Sequence, residues 1–297
     1  MAILLAAASA VVYGSGDFFG GLAARRVPAF VVAFVSQCVG LAALLAVTLV
    51  WPDSAPTASD WAWGAAAGVA GGLGIAAFYW ALSTGPMAVT APITAVISAT
   101  IPAFVGVATG DRPGAVSWIG VAAAVPAIGL VARADNPEGS ENPGGAGSAR
   151  RVASRTVAAA AAAGVAFGIF FVAFARTGSQ AGLWPLVAAR LASISVLAAL
   201  LVARREPART PADHPAHHLG TSWLLLVAAG VFDTTANGLY LLATRSGALS
   251  LVAVVSAMYP ASTVVLARLV LREHLARWQI VGLALAAVAV GLVAVGR

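Results

Sequence analysis

The chain has 297 residues, of which 60% are hydrophobic and 9% charged, and its mean hydropathy is +0.91. A soluble domain carries about 25% charged residues, so this chain cannot cover a water-facing surface, and its solvent is the hydrocarbon of a bilayer. The formal net charge of +6 does not mark a nucleic-acid binder, because the arginines stand singly or in pairs in short connectors and form no basic face.

A crossing needs roughly 20 apolar residues. Ten such segments are read in chain order: 2–23, 28–51, 61–83, 87–109, 115–132, 156–176, 183–203, 222–243, 248–269 and 278–296. The first lacks a basic leader and a cleavage motif and is long enough to cross, so it reads as a span and not as a signal peptide. The single Cys38 excludes an internal disulfide and a thiolate metal cluster, and it reads as a small buried hydrophobe. Residues 134–155 are polar and rich in Gly, Pro and Ser, which predicts a flexible linker between residues 1–133 and 156–297. A second polar loop, 203–221, carries His214, His217 and His218. No thiol or placed carboxylate completes a metal site there, and a solvated loop is the reading. No cofactor is expected.

The chain is written twice. Trp61–Ala132 lies without a gap on Trp223–Ala294, at a shift of about 162, with about a quarter of positions identical. Gly68 falls on Gly230, Gly85 on Gly247, Gly120 on Gly282, and Asp111 on Glu273. Five spans per copy is odd, so the second copy enters the membrane from the other side. The expected fold is an all-α polytopic membrane protein of ten transmembrane helices, built as two inverted five-helix repeats with a site near mid-depth between them. Connectors after the odd-numbered spans hold eleven arginines and the opposite side four. The positive-inside rule then places both termini outside the cytoplasm.

Ionisable residues inside spans are the candidate site, because a charge at the bilayer centre faces a cavity or a partner. Asp233 is about ten residues into the eighth span, near mid-depth. Asn237 and Tyr240 follow at helical spacing and extend a polar stripe. Arg190 is central in the seventh span, where its counterpart in the first copy is Phe34. It can bind an anionic group such as a carboxylate, or pair with Asp233 and lock two helices together. Asp17 lies in YGSGDFFGG, one turn from Tyr13, with Gly16 and Gly20 making a close-approach pair. It also lies near Arg25 and Arg26, so interfacial water is a second reading. The glycine string lacks the GxGxxG spacing and the strand–turn–helix context of a dinucleotide site. Tyr79, Trp80, Ser256 and Tyr259 are pocket candidates or interfacial anchors. Pro92, Pro102, Pro126 and Pro260 interrupt spans four, five and nine. Asp111 and Glu273 read as helix-terminus charges.

The run Gly247…Pro260…Glu273…Gly282, echoed from Gly85 to Ala132, resembles the EamA-type members of the drug/metabolite transporter (DMT) superfamily. The first copy departs mildly, with Ser98 and Asp111 where the family commonly has Pro and Glu. The resemblance covers nearly the whole chain. It implies a ten-helix carrier with a central cavity, alternating access and no ATP hydrolysis, and export of amino acids or other metabolites. It also implies cytoplasmic termini, against the arginine count.

The expected function is a secondary active transporter in a bacterial plasma membrane. It exports a small metabolite such as an amino acid, with protons as the coupling ion through Asp233, a carboxylate able to exchange one at mid-depth. The alternative is a cation or drug–proton antiporter using Asp17 or Asp233. An enzyme is not expected, since no His/Asp, Cys/His or metal constellation is present. The expected partners are the substrate, protons and the lipid bilayer, with no nucleic acid.

Overall fold

The computed structural model describes residues 1–50, 55–108, 114–132, 143–204, 219–246, 252, 255–272 and 277–295. Among these the chain is helical and has no strand. The helices are α1 (Ala2–Ala24), α2 (Ala29–Val50), α3 (Ala58–Thr84), α4 (Met87–Ala108), α5 (Ala115–Ala132), α6 (Pro143–Phe174), α7 (Trp184–Arg204), α8 (Leu219–Ser246), α9 (Tyr259–Val270) and α10 (Arg277–Val295). Each overlaps one of the ten expected segments. Five helical stretches meet the length and apolarity of a membrane crossing: Ala29–Val50, Ala58–Thr84, Ser154–Phe174, Trp184–Ala203 and Trp223–Ser246. Large apolar side chains stand outward, among them Leu49, Leu224, Leu269 and Val281, while alanines and glycines fill the interfaces. That is the distribution expected where lipid is the solvent.

Two elements differ from expectation. Helix α6 begins at Pro143, so the second half of the segment read as a linker is helical; residues 133–142 lie outside the described residues. Proline suits a first helical turn, and the alanine run of α6 gives the helix a strong body to extend from. Helix α9 is short. Ala257 and Met258 form a turn, and the helix starts at Tyr259 with Pro260 in its first turn. A proline at 260 has no N–H to donate and its ring displaces the carbonyl four residues back, so the ninth segment cannot run unbroken through it.

The order of packing follows the duplication. Helix α1 packs most on α8, and α6 on α3; α1 meets α9 as α6 meets α4; α5 pairs with α10. Exchanging the copies carries the first pair of contacts into each other, likewise the second, and the α5–α10 contact into itself. Residue pairs give the directions. Ser9 bonds the Ala236 carbonyl while Gly16 lies against Asp233, so α1 and α8 run oppositely. Thr84 meets Thr156 and Gly71 meets Phe170, so α3 and α6 also run oppositely. Thr263 bonds the Gly14 carbonyl and Ser262 that of Ala10, so α1 and α9 run together. Gly164 meets Ile97 and Gly168 meets Ile101, so α6 and α4 do the same.

Helix α3 owes its central place to glycine. Gly64, Gly68 and Gly72, four apart, put its backbone directly on Pro185, Ala189 and Ser193 of α7. Its other glycine face, Gly71 and Gly74, receives the rings of Phe170 and Phe167 from α6. Small residues at a four-residue repeat let helices approach this closely.

One end of the bundle is fastened. Asp60 caps α3 reciprocally with Thr57, and its Oδ1 accepts the Gly178 N–H at 2.6 Å. Arg245, at the end of α8, donates to the Gly182 carbonyl at 2.6 Å. Gly182 has φ 57°, a left-handed conformation that favours glycine. Both side chains thus hold the connector between α6 and α7, beside the rings of Trp61 and Trp184, which meet at a tilt with centroids 5.8 Å apart. A Cβ at Gly68 would sit on the Ala189 carbonyl, whereas one at Gly291 meets nothing within 4 Å. Gly68→Val is expected to cost about 1–3 kcal/mol by overpacking and to lower the melting midpoint in detergent, while Gly291→Ala leaves it unchanged or higher.

Candidate functional site

The site starts from α8. Asp233 and Asn237 are one turn apart, and the Asn237 amide donates to the Asp233 carbonyl at 2.7 Å and to its carboxylate at 3.2 Å. Helix α1 approaches this stripe through Gly16: a side chain there would come within 3.3 Å of the Asp233 backbone nitrogen. One turn earlier, Tyr13 donates its hydroxyl to Asn237 Oδ1 at 2.8 Å. The carboxylate of Asp233 receives Arg190 Nη1 of α7 at 2.7 Å. Arg190 also donates to Gln37 Oε1 of α2, which accepts the Ser193 hydroxyl at 2.8 Å.

The arginine and aspartate side chains are 7% and 17% exposed. A charge pair this buried persists only with good geometry and further hydrogen bonds, which Gln37 and Asn237 supply. The satisfaction is incomplete. Arg190 Nη2 is buried and has no acceptor among the described residues. These groups line a central cavity together with Asp17, Gly68, Gly71, Ile75, Tyr259 and the rings of Phe167, Phe170 and Phe171. Asp17 faces it with no hydrogen-bond or ion-pair partner among the described residues.

Five of the six residues singled out from the sequence therefore meet in one place: Asp233, Arg190, Asp17, Asn237 and Tyr13. Tyr240 does not. Seven residues beyond Asp233 it returns to the same face of α8, but about 10 Å farther along the helix. There Ala6 and Val252 pack beside it and the Phe171 ring lies 4.8 Å from its own. Of the pocket candidates, Tyr259 lines the cavity. Tyr79 is buried against Gly20, and Ser256 bonds the Ala6 carbonyl. The alternative readings of Arg190 meet in one geometry, because it pairs with Asp233 and keeps a spare donor.

Gln37, Ser193 and the three phenylalanines do not stand out in the sequence. Gln37 carries a signal, as the lone amide of an apolar span. The phenylalanines carry none, since an aromatic in a membrane helix more often packs or anchors. Asp111, Glu273 and the three loop histidines lie outside the described residues. Among those described, no three His, Cys, Asp or Glu side chains gather as a metal site.

An apolar helical bundle with ionised groups around an internal cavity is an integral membrane protein of the carrier type. Residues 1–133 and 154–295 match the EamA-like transporter family, and the chain belongs to that family, within the DMT superfamily. No curated protein matches the chain. A solved structure entitled only "Crystal structure of protein" is similar over 98% of this chain and 94% of its own, at 19% identity and a TM-score of 0.66. At that identity the likeness speaks for the fold alone.

Removing one member of a buried pair strands the other. Arg190→Met or Asp233→Leu alone is expected to cost about 3–5 kcal/mol of stability, and the double variant to recover much of it. Thermal unfolding of the three variants in detergent measures the cycle.

Proposed function

We propose that the chain is a secondary active carrier that crosses a bacterial plasma membrane ten times, as two inverted five-helix repeats, and exports a small zwitterionic metabolite such as an amino acid. The packing directions favour this reading, since an odd number of crossings per copy accounts for opposed α1–α8 and α3–α6 pairs. The cavity then lies near mid-depth between the copies, where alternating access requires its site. Hydrolytic or metal chemistry has no constellation among the described residues to support it.

One observation carries the choice of substrate. Among the described residues, the cavity holds a guanidinium with an unmatched donor, Arg190 Nη2, and a carboxylate without a partner, Asp17. A cargo carboxylate suits the first, because a charge-assisted bond to a desolvated guanidinium is strong and directional. Its ammonium group suits the second. Asp233 serves as the proton-coupled lock. While ionised it ties α7 to α8 through Arg190; once protonated it loses the charge that holds the pair, and the two helices are released from each other. The arginine distribution supports termini outside the cytoplasm.

The test is flux. In proteoliposomes with an imposed pH gradient, the wild-type protein is expected to move one or more members of an amino-acid panel. Asp233→Asn keeps the fold and loses the pH-driven component by at least about tenfold, which corresponds to about 1.4 kcal/mol. Unchanged proton-driven flux in that variant would remove Asp233 from coupling, and a wild type inert to the whole panel would remove the substrate class.

A further inference from the structure

The cavity is divided by the duplication itself. On the register that relates α3 to α8, Gly71 corresponds to Asp233 and Ile75 to Asn237. The packing fixes the matching register of α1 and α6. Gly14 lies on Thr263 of α9, and Gly168 lies on Ile101 of α4, the position equivalent to Thr263. Gly14 therefore answers to Gly168, Tyr13 to Phe167, Gly16 to Phe170, and Asp17 to Phe171. The contacts agree, since Gly16 lies against Asp233 while Phe170 lies against Gly71.

All of these positions except Gly14, Gly16, Gly168, Ile101 and Thr263 line the cavity. On the α1–α8 side they are Tyr13, Asp17, Asp233 and Asn237. On the α3–α6 side the same positions are Phe167, Phe171, Gly71 and Ile75. The α1–α8 side thus presents acids, an amide and a phenol, and the α3–α6 side presents rings, a branched aliphatic side chain and bare backbone. A symmetric fold has been given a two-faced cavity.

The charges on the polar side do not balance. Asp233 is matched by Arg190, and Asp17 remains. The titratable groups that face Asp17 are Asp233 of α8 with Arg190 of α7 beyond it, and the phenols Tyr13 of α1, Tyr79 of α3 and Tyr259 of α9. Phenols are neutral near neutral pH and supply no counter-charge. An unmatched carboxylate away from water takes either a proton or a cationic partner. On the α3–α6 side, the rings of Phe170 and Phe171, 5.4 Å apart and set edge to face, and the glycine surface of α3 offer an apolar wall. Arg190 Nη2, buried and without an acceptor among the described residues, adds an open donor to the same cavity.

We propose that the cavity takes a cargo with two unlike ends: an ammonium group that occupies Asp17 in alternation with a proton, and a large apolar body that lies on the wall of Phe167, Phe170 and Phe171. The proton that Asp17 holds before binding leaves to solvent as the ammonium arrives, so cargo and proton exclude one another. This deepens the carrier reading and rests on it, but it does not rest on the cargo having a carboxylate.

The test is calorimetric binding to the full-length protein in detergent, in buffers of different ionisation enthalpy over about pH 5 to 8. Four probes separate the features: L-phenylalanine, phenethylamine, 3-phenylpropanoate and L-alanine. Phenylalanine and phenethylamine are expected to bind with release of up to about one proton per molecule. The propanoate, without the ammonium group, and alanine, without the apolar body, are expected to bind at least about tenfold more weakly. Asp17→Asn loses the proton release, and Asp17→Glu restores it. Phe171→Ala weakens binding of phenylalanine about tenfold and keeps the proton release.

Proton release that survives in Asp17→Asn overturns the exchange. Propanoate or alanine bound as tightly as phenethylamine overturns the two-ended cargo, as does failure of all four probes to bind a folded wild type. Phenethylamine bound as tightly as phenylalanine removes the carboxylate contact at Arg190 and leaves this proposal standing. Phenylalanine bound alone, with no loss in Asp17→Asn, does the reverse.

Discussion

An arginine in the middle of an apolar bundle must be surrounded by acceptors, and Arg190 organises the centre of this protein for that reason. Its acceptors come from two other helices: Asp233 from α8 and Gln37 from α2. To reach them α7 has to lie between α2, α3 and α8, and the glycine face of α3 is what lets it come close enough. The pair also draws in a second shell of bonds, from Ser193 to Gln37, from Asn237 to Asp233 and from Tyr13 to Asn237. Four helices meet at the cavity through this one chain of donors and acceptors. In a medium that offers no competing water, such a chain specifies position as well as energy.

The duplication supplies the frame and not the chemistry. What the two copies share is small residues and packing: glycines at equivalent positions of α1 and α6 seat those helices on α9 and α4. What they do not share is polarity. Polar residues at a handful of positions on the α1–α8 side convert an apolar seam into half of a polar cavity while the backbone contacts keep their equivalents on the α3–α6 side. Gln37 and Ser193 show how close the symmetry remains. With Phe34 opposite Arg190 in register, these two are equivalent positions, and they bond to each other across the boundary between copies.

Much of the frame is legible in the sequence, because hydrophobic length and the repeat are both local signals. The segments, the repeat register and the concentration of charge in the second copy all follow from the order of residues alone. Asp233, Asn237, Arg190, Tyr13 and Asp17 are legible for the same reason, since a polar group in an apolar span is conspicuous. Tyr240 is drawn wrongly into that group because helical periodicity gives a face and not a depth. The break before Pro260 is easily underestimated, because proline's cost depends on whether neighbours satisfy the freed carbonyls. The phenylalanine wall cannot be read at all. A ring becomes a cavity wall only through what lies opposite it, and the helices opposite are distant in sequence.

The fastening of Asp60 to Gly178 and of Arg245 to Gly182 has a counterpart in position but not in kind. On the repeat register Asp60 answers to Ser222 and Arg245 to Ser83, and neither serine carries a charge. Parting the helices at the Asp60 end breaks two bonds to ionised side chains, and the corresponding positions at the other end hold no such charges to separate. A duplicated fold makes its two ends interchangeable in shape. These two side chains distinguish one of them, and they do so at the rim, far from the cavity where the two sides also differ.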